Sequence, residues 1–174
     1  MESKAKFLGH SIHKMLVAFP LGLLATAALF DVVGLWKAHP FWFHAAFWMI
    51  AVGVLSGLVA AVFGLIDWLA IPSGTRANAV GLRHALANSA VLILFAISWF
   101  LRRGGPEAPG TVAFAFSFVG VTFSLVGAWL GGELADRLGV GVDDGAHLNA
   151  ASSLSIPRAA EIPRTGKASA KRIA

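Results

Sequence analysis

The sequence predicts an all-α integral membrane protein, a bundle of four transmembrane helices in up-down order. Two observations carry that expectation. Hydrophobic residues make up 57% of the chain and charged residues only 13%, against about 25% charged in a typical soluble domain. The apolar residues also gather into four long runs separated by short polar stretches. Such a chain cannot cover its apolar surface in water, so a soluble globule is excluded. A bilayer core about 30 Å thick asks for about 20 apolar residues per helix, and each run is long enough.

The first run, Met15 to Trp36, has 22 residues, more than the roughly 7–15 of a signal-peptide core. No small-residue cleavage site closes it, so it reads as a retained helix behind an amino-terminal segment, residues 1–13. Pro20 predicts a kink, and Asp31 lies near the far end of the run. Lys37-Ala38-His39-Pro40 forms a turn, with Pro40 suited to the first turn of the next helix. That second helix runs from Phe41 to Ala70, with Trp42, Trp48 and Trp68 as interfacial aromatics and Asp67 at its exit. Residues 72–79 form a loop. The third helix, Val80 to Leu101, carries Arg83, His84 and Asn88 in its first turns. A Gly/Pro-rich loop from Arg102 leads to the fourth helix, Thr111 to Leu134, which closes in Gly131-Gly132-Glu133. The membrane domain spans 14–142. Residues 143–174 form a polar, basic tail with the composition of a flexible or partner-bound segment.

Four spans place both ends of the chain on one side. Eleven of the 14 Lys and Arg residues fall there, so the positive-inside rule puts both termini in the cytoplasm. The net charge of +5 therefore reports topology, and the scatter of basic residues over loops and tail argues against nucleic acid as a partner. The absence of cysteine excludes disulfides, thiolate metal sites, iron–sulfur clusters and covalently attached haem. Small residues recur every fourth position at Gly53, Gly57 and Ala61, and again at Gly120, Ser124, Ala128 and Gly132. Such stripes let helices approach closely, inside the bundle or against another subunit or a second copy.

The same topology gathers His10, His13, Asp67, His84, Asn88 and Glu133 at one end. His10 and His13 stand three apart and His84 and Asn88 four apart, the spacings that share a helix face. Ionisable groups are costly in a bilayer and usually face the bundle interior. Three readings follow. A transition metal would take His10, His13, Asp67, His84 and Glu133 as ligands, with Asn88 and Arg83 behind them. A b-type haem would be clamped by His13 and His84, with Gly64, Gly81 and Gly131 making room and Lys14, Arg76 and Arg83 on the propionates. In the third reading the groups only cap helix ends and pair locally, Glu133 with Arg137 and Asp67 with Arg76 or Arg83. At the opposite end Asp31 is expected to pair with Lys37 or His44. No nucleophile elbow, phosphate loop or dinucleotide fingerprint is present, so nothing marks an enzyme.

The stretch His10-Ser11-Ile12-His13-Lys14-Met15-Leu16-Val17-Ala18-Phe19-Pro20 resembles the opening motif of a bacterial family of four-span membrane proteins, domain of unknown function 2231. That motif reads His-Pro-x-His-Pro-x-Leu-Val-x-Phe-Pro; both histidines match, and Ser11 and Lys14 replace the prolines. Asp31, Gly64-Leu65-Ile66-Asp67-Trp68, His84 with Asn88, Gly131-Gly132-Glu133-Leu134 and Gly139-Val140-Gly141-Val142 are also similar to family features. Relatives often carry a His where this chain has Leu138. The resemblance covers residues 9–142 and implies a bacterial inner-membrane location. Because some relatives are joined to Rieske or cytochrome c domains, it also favours a redox role by analogy. The expectation is thus a subunit of membrane electron transfer that binds a transition metal or haem b. The alternative is a non-catalytic accessory subunit of a larger membrane complex. A solute transporter is disfavoured, because no polar path continues through the bilayer centre.

Overall fold

The computed structural model describes residues 1–155 of the chain. The basic tail residues Arg158, Arg164, Lys167, Lys171 and Arg172 lie outside the described residues. A two-stranded antiparallel hairpin, β1 (Lys6–Phe7) and β2 (His10–Ser11), opens the fold. A single short helix, α1 (Ile12–Leu16), leads into four long helices: α2 (Ala18–Lys37), α3 (Pro40–Leu69), α4 (Arg76–Arg102) and α5 (Thr111–Gly132). A π-helical turn over Glu133–Arg137 continues α5. All four long helices are apolar enough to cross a membrane, α1 and α2 counting as one span. Helix α2 packs on α3 and α4 on α5, and the α3–α4 and α2–α5 contacts close an up-down ring. The expected four-helix membrane bundle is what the chain forms.

The outer faces carry Phe19, Leu29, Leu55, Val62, Leu86, Leu125 and Trp129, all exposed, as a lipid-facing surface requires. The inner faces follow an alternation of three and four residues. On α4 it runs Gly81, His84, Asn88, Val91, Phe95, Ser98, Arg102; on α3, Ala46, Ile50, Gly53, Gly57, Ala60, Gly64; on α5, Ala113, Ser117, Gly120, Ser124, Gly127, Gly131. This heptad-like rhythm keeps one seam inward along a supercoiled helix. A strict four-residue stripe drifts by about 40° per step on a helix of 3.6 residues per turn. That is why Ala61 and Ala128 of the expected stripes end up exposed. The seam glycines serve the bundle interior: an added Cβ would meet Leu24 at Gly53, Leu92 at Gly57 and Phe95 at Gly120, each within 2.9 Å.

Helix ends follow local capping. His39 Nδ1 accepts from Phe41 N at 3.3 Å ahead of Pro40. Thr75 Oγ1 accepts from Asn78 N at 3.1 Å and starts α4 at Arg76, a turn before the expected Val80. The interruption of the first span falls at Val17, where α1 ends and α2 begins. Pro20 accounts for it, because proline has no N–H to give the carbonyl four residues back, that of Leu16.

At the end of the bundle away from the termini, Asp31, Ser98, Arg102 and Ser117 are all fully buried. Arg102 is the last residue of α4 rather than a loop residue, and it binds Asp31 of α2 through two parallel bonds of 2.7 Å. Asp31 therefore pairs across the bundle and not with Lys37 or His44. Arg102 Nε donates to Ser98 Oγ and Nη2 to Ser117 Oγ, both at 3.1 Å. Removing one partner of a buried, hydrogen-bonded pair strands the other charge, at about 3–5 kcal/mol. Arg102→Met and Asp31→Leu are each expected to lose that much stability in detergent unfolding, and the double variant to recover most of it. Additive losses in the double variant would contradict a direct pair.

Candidate functional site

The opposite end holds the polar residues singled out in the sequence. Ser11 caps α1 through its hydroxyl, which accepts from Lys14 N, and α1 packs across α3. This placement sends the His13 ring into the interior, over Gly64. A Cβ at Gly64 would stand 2.8 Å from His13 Cε1. His13 Nδ1 is 2.8 Å from the Ala60 carbonyl oxygen. On the other side of the bundle, the His84 ring lies over Gly131, with Nδ1 3.0 Å from the Gly127 carbonyl. A carbonyl only accepts, so Nδ1 carries the proton in both rings and Nε2 is left as the acceptor. The two ring centres are 6.3 Å apart with planes at 83°. Asn88 donates through Nδ2 to the His84 backbone oxygen at 2.8 Å, and the same amide nitrogen stands 3.4 Å from both ring nitrogens of His84. Gly127 leaves the space that this amide fills.

The structure brings His13, His84 and Asn88 together and turns the other expected residues elsewhere. His10 belongs to β2, ahead of the helix start at Ile12, so the helical i, i+3 geometry with His13 does not apply. It lies exposed, with Nε2 3.4 Å from Ser153 Oγ. Asp67 accepts from Ser3 Oγ and Lys4 N, both at 2.8 Å, and so fastens the amino-terminal segment instead of pairing with Arg76 or Arg83. Glu133 pairs with Arg76, not Arg137, and Arg83 is exposed on the outer side of α4. Gly64 and Gly131 make room for the two imidazoles themselves, and Gly81 for Trp68, rather than for a macrocycle. Lys14 donates to the Gly141 carbonyl at 3.0 Å. Among the described residues no three His, Asp or Glu side chains stand close enough to hold one metal ion.

A clasp closes this end. Leu8 and Gly9 both have positive φ, the conformation of a two-residue type I′ hairpin turn. Gly139 and Gly141 also have positive φ and shape a loop against which the first residue docks. Met1 N donates to Gly139 O at 3.1 Å, and Gly141 N donates to Met1 O at 2.8 Å. Lys6 Nζ bridges Glu2 at 2.6 Å and Asp143 at 3.1 Å. The sequence signal for this loop was the glycine pair of Gly139-Val140-Gly141, which is a turn and not a nucleotide fingerprint.

The sequence profile of the family described as "Predicted membrane protein (DUF2231)" matches residues 9–144. The chain belongs to this family. No curated protein and no solved structure matches it. The family region takes in the four spans, the His13–His84 pair and the loop that receives Met1, and it starts inside the hairpin turn at Gly9.

The clasp sets a pH window. The Gly145 backbone bond, then the Lys6 ammonium, hold the Asp143 carboxyl below its ordinary value, while Glu2 and then Asp143 push the Lys6 ammonium up. A depressed carboxylate contributes stability above the unfolded pKa of about 3.9, and a raised lysine contributes below about 10.4. Amide exchange of residues 1–11 is expected to stay slow between those limits. It should accelerate as pH falls through the lowered Asp143 value or rises through the raised Lys6 value, beyond its intrinsic pH dependence. Lys6→Ala should abolish the alkaline step.

Proposed function

We propose that the protein is a redox-cofactor-binding subunit of a bacterial inner membrane, with both termini in the cytoplasm and His13 and His84 as its metal ligands. The observation that carries this reading is the matched anchoring of the two imidazoles. Each donates Nδ1–H to a backbone carbonyl and keeps Nε2 for a ligand, the outer-shell arrangement that metal-binding histidines use to fix tautomer and ring orientation. The two rings also share one region of the bundle, with their centres 6.3 Å apart.

The donor set also narrows the metal. Structural zinc takes four protein ligands and catalytic zinc three, so two imidazoles would better suit a copper ion; a haem would need space that the glycines beside them give to the rings themselves. Such a centre supplies one-electron transfer when bound. Asn88 steadies the His84 turn through its bond to the His84 backbone oxygen, while Asp67 fastens the amino-terminal segment and Glu133 pairs with Arg76 at the rim. The accessory alternative rests on a different observation. A lipid-facing apolar groove of about 170 Å³ between α3 and α4 is lined by Val54, Leu55, Trp99 and Phe100. The buried Trp99 Nε1 has no hydrogen-bond partner among the described residues.

Absorption spectra of the purified protein in both redox states, with elemental analysis, test the proposal. About one copper per chain is expected, and a Soret band would point to haem and overturn the copper assignment. His13→Ala and His84→Ala should each remove the copper, and Asn88→Ala should weaken retention about 10–100-fold. A wild-type protein that takes up neither metal nor haem, while co-purifying with other membrane subunits, would leave the accessory reading in its place.

A further inference from the structure

Beside the clasp lies a recess of about 300 Å³, at the lower end of ligand-pocket sizes, walled by Lys6, His10, Ser11, Lys14, Met15 and Asp143. It is separate from the imidazole pair and nothing in the proposed redox role uses it. We propose that this recess binds the phosphoethanolamine headgroup of a membrane phospholipid.

The position of the recess points to lipid. It opens at the mouth of the first span, where Met15 is 50% and Phe19 59% exposed, and beside the hairpin tip, where Phe7 is 58% and Leu8 60% exposed. Large apolar groups around a charged recess suit a bilayer surface, where acyl chains cover the apolar groups and the headgroup meets the charges. The chemistry points to a zwitterion. Lys14 Nζ has three donors and uses one on the Gly141 carbonyl, and Lys6 Nζ uses two of its three on Glu2 and Asp143. Three ammonium donors remain, with the His10 ring beside them, and a phosphate accepts such bonds. Asp143 Oδ1 accepts from Gly145 N and Oδ2 from Lys6. A carboxylate has about four lone-pair sites, so two remain for a primary ammonium. A bare phosphate would meet the Asp143 charge uncompensated. A phosphocholine has no N–H for Asp143, and a phosphoglycerol has no cation.

Native mass spectrometry of the full chain in detergent, with dioleoyl phosphatidylethanolamine, phosphatidylcholine and phosphatidylglycerol competing, tests this. The ethanolamine lipid is expected to be retained about tenfold over the other two, the equivalent of one charge-assisted hydrogen bond. Lys14→Ala should lower retention of all three lipids about tenfold. Asp143→Asn should remove the preference for ethanolamine while keeping phosphate binding. Circular dichroism melting confirms that each variant is folded, and Lys14→Arg should restore retention. Equal retention of the three lipids, or a preference untouched by both variants, would overturn the proposal. Displacement of the lipid by an equimolar amount of soluble glycerophosphoethanolamine would overturn it too, by showing that a free headgroup compound suffices.

Discussion

The Asp31–Arg102 pair is the interaction on which the arrangement of the four helices depends. A guanidinium and a carboxylate taken wholly out of solvent are tolerable only when they are paired with good geometry and further hydrogen-bonded. That demand is met by a directed chain. Ser98 must donate to the Ala113 carbonyl, 2.7 Å away, because a carbonyl cannot donate. Ser117 must then donate to Ser98 across 2.8 Å, which leaves both hydroxyl oxygens to accept from Arg102. Asp31 lies on α2, Ser98 and Arg102 on α4, and Ser117 and Ala113 on α5, so one network sets the relative height and rotation of three helices. Helix α3 joins through Phe43, which fills the space over Gly34 and lies 5.5 Å from the Phe114 ring beneath Arg102.

With that end set, the heptad seam carries the register along the bundle. Between lipid and helix there is little hydrophobic drive, so close packing of small residues supplies the attraction. Each seam glycine receives a particular side chain from a neighbour: Leu24, Leu92 and Phe95 in the middle, then Asn88, His13 and His84 toward the termini. The imidazoles reach the interior because the seam continues under them. Gly64 and Gly131 are steps of the same three-four alternation that begins at Ala46 and Ala113.

The four spans, their order and the end at which the histidines gather were legible in the sequence, because length and hydropathy decide them. The partner of Asp31 was not. Arg102 follows an apolar run and precedes a Gly/Pro-rich loop, so it resembles any boundary arginine. Only the alternation from Gly81 through Ser98 places it on the inner face. The grouping of six polar residues was legible as an end of the bundle but not as a site, since sharing a depth does not mean sharing a centre. Asp67 and Glu133 point around the rim, to Ser3 and Arg76. The helix begins two residues too late for His10 to join His13. The clasp was hidden because its contacts join residues more than a hundred positions apart.

The two ends differ in how their polar groups are satisfied. At the far end, the Asp31–Arg102 network spends its bonds internally, and a ligand would have to break it to enter. At the other end each half-buried imidazole is held through one nitrogen by a backbone carbonyl, the least adjustable acceptor a helix offers. The second nitrogen meets nothing better than the Asn88 amide at 3.4 Å from His84, well beyond a strong bond. Orienting two rings so firmly while leaving their acceptors underused has no return in stability, because a leucine pair would fill the same space without desolvating four nitrogens. In the proposed reading those underused acceptors are what a metal would take, and the Asp31–Arg102 end has none comparable to offer.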